Sequence, residues 1–238
     1  MTPVVLVPGL LCTAEVFAPQ IPALWPHGPV TIASTLTGET IPEVAADILA
    51  SAPPRFALAG ISMGGHISLE IMRQAPERVL GLALLDTSPR PDTPEQTAQR
   101  KAMIEQARAG QFSALVELLA GAVFHPAHRS DARLGEMMTR MSHTVGLDGF
   151  ARQQQALIAR PDSRPSLGAI RVRTLVLVGD SDLFAPPEQA REFAVAIPKA
   201  RFVIVEQCGH GSTLEQPEAV NRAMIEWIAG VDAKGARP

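Results

Sequence analysis

The sequence has few of the features of an extracellular or membrane-bound protein. Only two of its 238 residues are cysteine, Cys12 and Cys208, which is too few for a disulfide framework. No apolar stretch approaches the length of a membrane span, and the apolar N-terminal residues lack the basic region and the cleavage site of a signal peptide. We therefore expect a reducing, cytoplasmic location with no membrane partner, and both cysteines as small buried or half-buried thiols.

The chain also lacks an excess of positive charge. Its formal net charge is −3 and its isoelectric point is near 6.1. Nucleic acids and anionic membranes bind to basic surfaces, so this balance gives no reason to expect either as a partner. His125, His128 and Asp131 have no further ligand cluster near them in the sequence, so we interpret this stretch as a polar surface loop and predict no metal site.

Hydrophobic residues, by contrast, make up 46% of the chain, enough for a sizeable core in a single domain. The apolar runs are continuous rather than alternating, which is typical of strands buried on both faces of a mostly parallel sheet between helix layers. Six strands are predicted, at residues 4–7, 30–34, 56–61, 80–85, 175–178 and 202–205. Helical patterns are predicted at residues 15–24, 42–50, 63–74, 187–196 and 219–228.

One long segment interrupts this alternation. Residues 89–168 contain several helical patterns and no strand pattern, and one of these patterns begins with Thr93 as a good N-cap and Pro94 at the first helical position. We interpret residues 89–168 as an all-helical cap inserted after the fourth strand. Residues 1–88 and 169–238 then form the α/β core of the same domain.

A serine between glycines marks the end of the third predicted strand. Residues 60–64 read Gly-Ile-Ser-Met-Gly, which matches the pattern G-x-S-x-G between a strand and a helix. Such a sharp turn exposes the hydroxyl of Ser62 and directs the N–H of Met63 to the place where an oxyanion would form. The pattern alone is equally compatible with a glycine-rich turn that carries an incidental serine.

The candidate partners of this serine also follow predicted strands. His210 stands between glycines after the last strand, as a candidate base. Asp86 follows the fourth strand, while Asp180 and Asp182 follow the fifth. A serine nucleophile needs a base and an acid that orients the base, so the presence of these candidate residues favours a catalytic role for Ser62. After the first strand, the N–H of Leu10 is a candidate second oxyanion donor.

With these motifs, nearly the whole chain resembles the α/β-hydrolase superfamily, and in particular its compact, cap-bearing esterase and lactonase-like members. The resemblance rests on VPGLL, GISMGG, the helical insertion, GDSD and GHGSTLEQP. Two departures stand out. Pro8-Gly9 replaces the usual His-Gly of the first oxyanion loop, and the usual N-terminal hairpin is missing, which leaves about six strands. Neither change removes a backbone donor.

The resemblance implies a cofactor-free serine hydrolase that cleaves a small-molecule carboxylic ester or lactone with Ser62, Asp182 and His210. Asp182 is chosen because the triad acid of similar sequences ends a G-x-x-D pattern; Asp86 is the runner-up, and Asp180 is expected to hold the turn. A carbon–carbon bond hydrolase, a thioesterase, a lyase and a non-catalytic ligand-binding protein remain alternatives. The serine argues against a carboxylate-nucleophile mechanism, and the absence of tyrosine argues against an epoxide hydrolase. The oligomeric state stays open.

The cap supplies candidate pocket residues. Phe112 and Met141 fit two interpretations, an acyl pocket and the core of the cap. Arg160 also has two interpretations: it contacts a substrate carboxylate, or it forms a structural ion pair. Leu11 is a further pocket candidate, and His66, one turn into the helix after the serine, is interpreted as a packing residue.

Overall fold

A computed structural model describes residues 1–235. Its six strands form one sheet in the order β2-β1-β3-β4-β5-β6, and every neighbouring pair is parallel. The predicted parallel sheet is therefore confirmed. The strands are β1 (Val4–Val7), β2 (Val30–Ile32), β3 (Phe56–Ile61), β4 (Val79–Leu85), β5 (Arg173–Gly179) and β6 (Arg201–Val205).

Helices connect the strands and cover both faces of the sheet. The predicted helix 15–24 is divided into a 3₁₀ turn at Ala14–Phe17 and a short α-helix, because Pro19 has no N–H with which to continue the first turn. The helices are α1 (Gln20–Leu24), α2 (Ile41–Ser51), α3 (Met63–Gln74), α4 (Pro94–Gln106), α5 (Phe112–Val123), α6 (Ala132–Ile158), α7 (Arg164–Leu167), α8 (Pro187–Ala196), α9 (Ser212–Glu215) and α10 (Pro217–Gly235).

Each face of the sheet has its own hydrophobic core. On one face the strands pack against α10, whose Trp227 is buried and donates a hydrogen bond from its indole nitrogen to the carbonyl of Arg173 at 3.1 Å. On the other face the strands pack against α2, α3 and α8, with Phe56 and Phe193 fully buried. Together the two cores bury almost every residue of the four central strands, β1, β3, β4 and β5, which explains their continuous apolar sequences, whereas the edge strands β2 and β6 are partly exposed.

The segment between β4 and β5 contains α4, α5, α6 and α7, with no strand among its residues. Gly146 bends α6 at φ +69°, a backbone conformation that side chains other than glycine rarely adopt. The three longer helices enclose a third, smaller core that includes Leu115, Val116 and Phe150. In the described part of the chain, no helix has both the length and the apolar character needed to cross a bilayer.

Candidate active site

The register of the sheet brings the predicted site residues to one edge. Gly60 is opposite Val7 on β1, and Gly179 is opposite Val205 on β6. The segments that follow these strands therefore leave the sheet at the same carboxyl edge, where open α/β sheets bind their ligands.

Ser62 occupies a sharp turn between β3 and α3. Its backbone angles are φ +54° and ψ −116°, a conformation that costs of the order of 1–3 kcal/mol and persists only where its surroundings enforce it. The Ser62 N–H donates to the carbonyl of Leu85 at 2.9 Å, and the Thr87 hydroxyl donates to the Ser62 carbonyl at 2.9 Å. A Cβ atom at Gly64 would lie only 2.0 Å from the carbonyl oxygen of Val7, so the helix can begin this close to the sheet only with glycine.

The structure brings Ser62, His210 and Asp182 into one hydrogen-bonded row. The Nε2 atom of His210 lies 2.8 Å from the Ser62 hydroxyl oxygen. The Nδ1 atom of the same ring lies 2.8 and 2.9 Å from the two carboxylate oxygens of Asp182. Asp182 also accepts hydrogen bonds from the backbone N–H groups of Phe184 and Ala185 at 2.8 and 2.9 Å, which fix its orientation.

The carboxylate of Asp182 and the imidazole of His210 stabilise each other's charged forms. Burial raises the pKa of Asp182, but the charge and hydrogen bond of His210, together with the N–H groups of Ala185 and Phe184, lower it by more, so the net pKa lies below the usual 3.8. Burial likewise lowers the pKa of His210, while the Asp182 carboxylate raises it, and the net pKa lies above the usual 6.5. The pair therefore holds a carboxylate next to an imidazole that binds a proton more readily than usual.

The other two candidate aspartates hold loops together. Asp180 accepts hydrogen bonds from the N–H groups of Gln207 and Cys208 at 2.9 and 3.1 Å, as expected for a residue that stabilises the turn. Asp86 is fully buried and accepts from the N–H groups of Gly179 and Ser212, each at 3.2 Å. Burial and then the charge of Asp182 raise the pKa of Asp86 to about 8.

Two backbone N–H groups complete the candidate site. Leu10 and Met63 both line the cavity in front of Ser62, and within residues 1–235 neither N–H donates a hydrogen bond. Gly9 lies against Ser62, since a Cβ atom there would be 3.3 Å from the serine Cβ. Gln153 of α6 accepts a hydrogen bond from the N–H of Leu11 at 2.9 Å and so holds this loop from the cap side, a role that the sequence did not predict.

A cavity of about 470 Å³ opens in front of Ser62, between the sheet edge and the cap helices. Of the four predicted pocket residues, Leu11 and Arg160 line it, while Phe112 and Met141 do not. Phe112 packs against Phe150 with ring centroids 5.7 Å apart, and Met141 is fully buried in the core that also contains Trp227 of α10. The acyl-pocket prediction is therefore wrong for these two residues. The apolar part of the cavity is lined instead by Leu10, Val16, Met103, Val116, Leu119, Val123, Met138, Leu157 and Leu214.

Two methionines of α6, three residues apart, test this correction. We expect Met138→Ala, which enlarges the cavity, to shift the ratio of kcat/KM between long and short acyl esters toward long chains. The matched variant Met141→Ala should cost about 2–5 kcal/mol of stability and leave the ratio unchanged. Aryl ester kinetics and thermal unfolding measure both effects. A changed ratio of kcat/KM between long and short esters in Met141→Ala would show that Met141 contributes to the pocket.

Further polar groups line the cavity or lie close to it. His66, interpreted from the sequence as a packing residue, lines the cavity, and burial followed by the charges of Arg160 and Arg100 holds its pKa well below 6.5. Both cysteines are free, Cys12 half-buried and Cys208 buried, as predicted. Burial raises the pKa of Cys12 to about 12, and it also raises the pKa of Cys208, so neither thiol is ionised near neutral pH.

Glu215 is a supporting residue that the sequence interpretation missed. Its buried carboxylate accepts hydrogen bonds from the backbone N–H groups of His125 and Gly209, each at 2.7 Å, and lies 2.8 Å from Nδ1 of His128. It therefore ties the loop of His210 to the end of α5. Within residues 1–235, no group of three or more His, Cys, Asp or Glu side chains is arranged to hold a metal ion.

Residues 4–223 match the model of the α/β-hydrolase family. The chain belongs to this family. A relative from Mycobacterium tuberculosis (strain CDC 1551 / Oshkosh), provisionally named a non-heme bromoperoxidase, BpoC, is 30% identical over 202 residues, which are 76% of this chain and 70% of the relative.

Two solved structures resemble nearly all of this α/β-hydrolase chain. A thermophilic esterase from Thermogutta terrifontis is 28% identical with a TM-score of 0.88, over 97% of this chain and 90% of that one. An enol-lactonase from Burkholderia xenovorans LB400 is 26% identical with a TM-score of 0.87, over 96% of this chain and 91% of that one. The family and these neighbours support a hydrolase.

Proposed function

We propose that this protein is a serine hydrolase that cleaves a carboxylic ester or lactone of a small molecule through an acyl-enzyme. The observation that carries the proposal is the row of Ser62, His210 and Asp182, with 2.8 Å between the serine oxygen and Nε2 of His210. A serine hydroxyl is a weak nucleophile unless a base receives its proton, and this geometry supplies the base.

In the acylation step, the Ser62 oxygen attacks the carbonyl carbon while Nε2 of His210 accepts the hydroxyl proton. The N–H groups of Leu10 and Met63 then donate to the oxyanion of the tetrahedral intermediate, and one such donor contributes about 2.7–4 kcal/mol to the transition state. Asp182 stabilises the imidazolium through Nδ1. His210 returns the proton to the leaving alkoxide, so the alcohol departs, or the lactone ring opens, and the acyl group stays on Ser62.

In the deacylation step, a water molecule takes the place of the alcohol. His210 accepts a proton from the water as its oxygen attacks the acyl carbon, and the second tetrahedral intermediate is stabilised by the same two N–H groups. The proton then passes from His210 to the Ser62 oxygen as the acyl–oxygen bond breaks. The products are a carboxylic acid and the free enzyme, and no cofactor enters the sequence of steps.

An ester or lactone is preferred as substrate because the two structural neighbours are named as an esterase and an enol-lactonase. The shape of the cavity agrees with this choice, since an apolar side next to Ser62 suits an acyl chain. A thioesterase and a carbon–carbon bond hydrolase use the same catalytic residues, so the substrate class has to be decided by assay.

A substrate screen tests the proposal. Purified protein should hydrolyse aryl esters of two to eight carbon acids and simple lactones, and it should lose this activity after a fluorophosphonate treatment. The same screen includes matched thioesters. Faster thioester turnover would change the substrate class, and fluorophosphonate labelling without turnover of any substrate would contradict ester or lactone hydrolysis.

A further inference from the structure

One end of the cavity is cationic. Arg100 of α4 and Arg160, just after α6, both line it together with Ser62. The two arginines share a single carboxylate, that of Asp92: Nε of Arg100 lies 2.7 Å from one oxygen, and Arg160 donates to the other. Helix α4 and the segment after α6 therefore each bring a guanidinium to the same place.

The charges at this end do not cancel. The Asp92 side chain is almost fully buried, with 1% exposed, and balances only one of the two arginines. Nearby Arg90 is paired with Glu192 and contributes no net charge. His66 remains neutral near pH 7 because its pKa is held well below 6.5. One positive charge is thus left without a partner at the wall of a partly enclosed cavity, where water screens it less than at an open surface.

Among the described residues, the hydrogen bonds of each guanidinium involve only two of its three nitrogen atoms. Arg100 uses Nε for Asp92 and Nη1 for the side-chain oxygen of Gln154 at 2.7 Å. Arg160 uses Nε for the carbonyl of Arg90 and Nη1 for Asp92 and the carbonyl of Leu157. In the part of the chain that the structure describes, the Nη2 atoms of both arginines donate no hydrogen bond. Planar guanidinium forks of this kind bind carboxylates well.

The cationic end lies within reach of the nucleophile. His66 follows Ser62 by four residues on α3, a rise of about 6 Å along the helix. His66, both arginines and His210 line the same cavity as Ser62, and the charges of Arg160, Arg100 and His210 all act on His66. A small molecule in the cavity of about 470 Å³ can therefore contact both ends at once.

We propose that Arg100 and Arg160 bind a carboxylate of the substrate, so that the ester or lactone is a small monoanion held at its far end while Ser62 attacks its carbonyl. This inference rests on the proposed hydrolase function. One uncompensated positive charge matches a carboxylate, whereas a phosphate monoester would bring a charge of about −1.5 to −2.

We call the carboxylate-binding site formed by Arg100 and Arg160 the subsite. A pair of substrates that differ in one group tests it. The 4-nitrophenyl half-ester of adipic acid ends in a carboxylate, and the 4-nitrophenyl ester of adipamic acid ends in a neutral amide of nearly the same shape. We expect kcat/KM for the anionic ester to exceed that for the neutral one by at least about tenfold, the effect of one charge-assisted hydrogen bond. In Arg100→Gln this ratio should fall about tenfold, and Arg100→Lys should restore part of it.

Two further variants separate the subsite from general effects of charge. Arg108→Gln removes an exposed arginine outside the cavity and should leave the ratio unchanged. Asp92→Asn removes the shared counter-charge and should raise the ratio, a change of sign that loss of a purely structural ion pair would not produce. Arg100 is chosen over Arg160 for truncation because its side chain is more exposed, 22% against 6%, and its loss disturbs the fold less.

Binding of adipamate, the monoanion of adipamic acid, measured by calorimetry with wild type, Ser62→Ala and Arg100→Gln, keeps this test independent of turnover. Adipamate that binds wild type and Ser62→Ala, and binds Arg100→Gln at least tenfold more weakly, supports the subsite even if no ester is cleaved, in which case only the hydrolase proposal fails. Ester hydrolysis with a ratio near one, together with no Arg100-dependent adipamate binding, would overturn the subsite and leave the hydrolase proposal standing.

Discussion

Ser62→Ala should lower kcat for ester hydrolysis by on the order of 10⁶-fold and abolish labelling by a fluorophosphonate, while the protein stays folded. The loss is this large because the hydroxyl oxygen forms the covalent bond, and no other side chain can take its place at 2.8 Å from Nε2 of His210. Rate measurements at saturating aryl ester and gel-based probe labelling check both effects.

The fold should survive because the hydrogen bonds of the turn belong to the backbone of Ser62. Its N–H and carbonyl bind Leu85 and Thr87 whatever the side chain is. The expected change in stability is therefore within about 1 kcal/mol, the contribution of the single side-chain hydrogen bond.

Ser68→Ala is the matched control for Ser62→Ala. Ser68 lies on the same helix, is fully buried, and donates to the carbonyl of Gly64 at 2.7 Å. Its replacement should cost some stability and leave probe labelling intact. Labelling that persists in Ser62→Ala, or disappears equally in Ser68→Ala, would contradict the assignment of the nucleophile.

Asp182→Asn should reduce kcat by about 10⁴-fold with a small change in KM. An asparagine at this position presents its NH₂ group to Nδ1 of His210, which stabilises the tautomer that cannot accept the serine proton. Because the Asp182 charge raises the pKa of His210, its removal should lower that pKa. The acid limb of the pH–rate profile should therefore move to lower pH in the variant, a shift that a structural role alone would not produce.

The neighbouring aspartates are the controls for Asp182. Asp86→Asn loses one of two acceptors for buried N–H groups, so it should cost about 1–3 kcal/mol of stability and keep substantial activity. Asp180→Asn should mainly lower stability, since its carboxylate binds turn amides. An Asp182→Asn protein with nearly full activity beside an inactive Asp86→Asn protein would show that the acid follows β4 instead of β5.

The local sequence determined the sheet and the sharp turn that holds Ser62. Continuous apolar runs require burial on both faces, and this physical constraint acts strand by strand, so it is visible without knowledge of distant partners. The same holds for Ser62: only glycine fits at position 64, where the helix begins against the carbonyl of Val7. The edge strand β2 ends two residues before its predicted end, at Ile32.

The distances within the site depended on the tertiary structure. The resemblance to the family pointed to Asp182, but Asp180 stands two residues away, and only the path of the loop after β5 decides which carboxylate meets His210. Glu215 and Gln153 could not be found from sequence, because each binds backbone groups about 90 or more residues away in the chain.

The limit of prediction from sequence is clearest in the cap. Its amphipathic patterns predicted helices, but Met138 and Met141 are both apolar, and their spacing does not show which of them lines the cavity. That choice depends on how α6 is placed against the sheet and against α4, and a kink at Gly146 shares in setting it. The sequence by itself thus determined the fold and the sharp turn at Ser62, which follow from local periodicity and sterics. Only the tertiary structure decided the acid contact, the pocket wall and the pairing of Arg100 with Arg160, because each depends on packing between segments far apart in the chain.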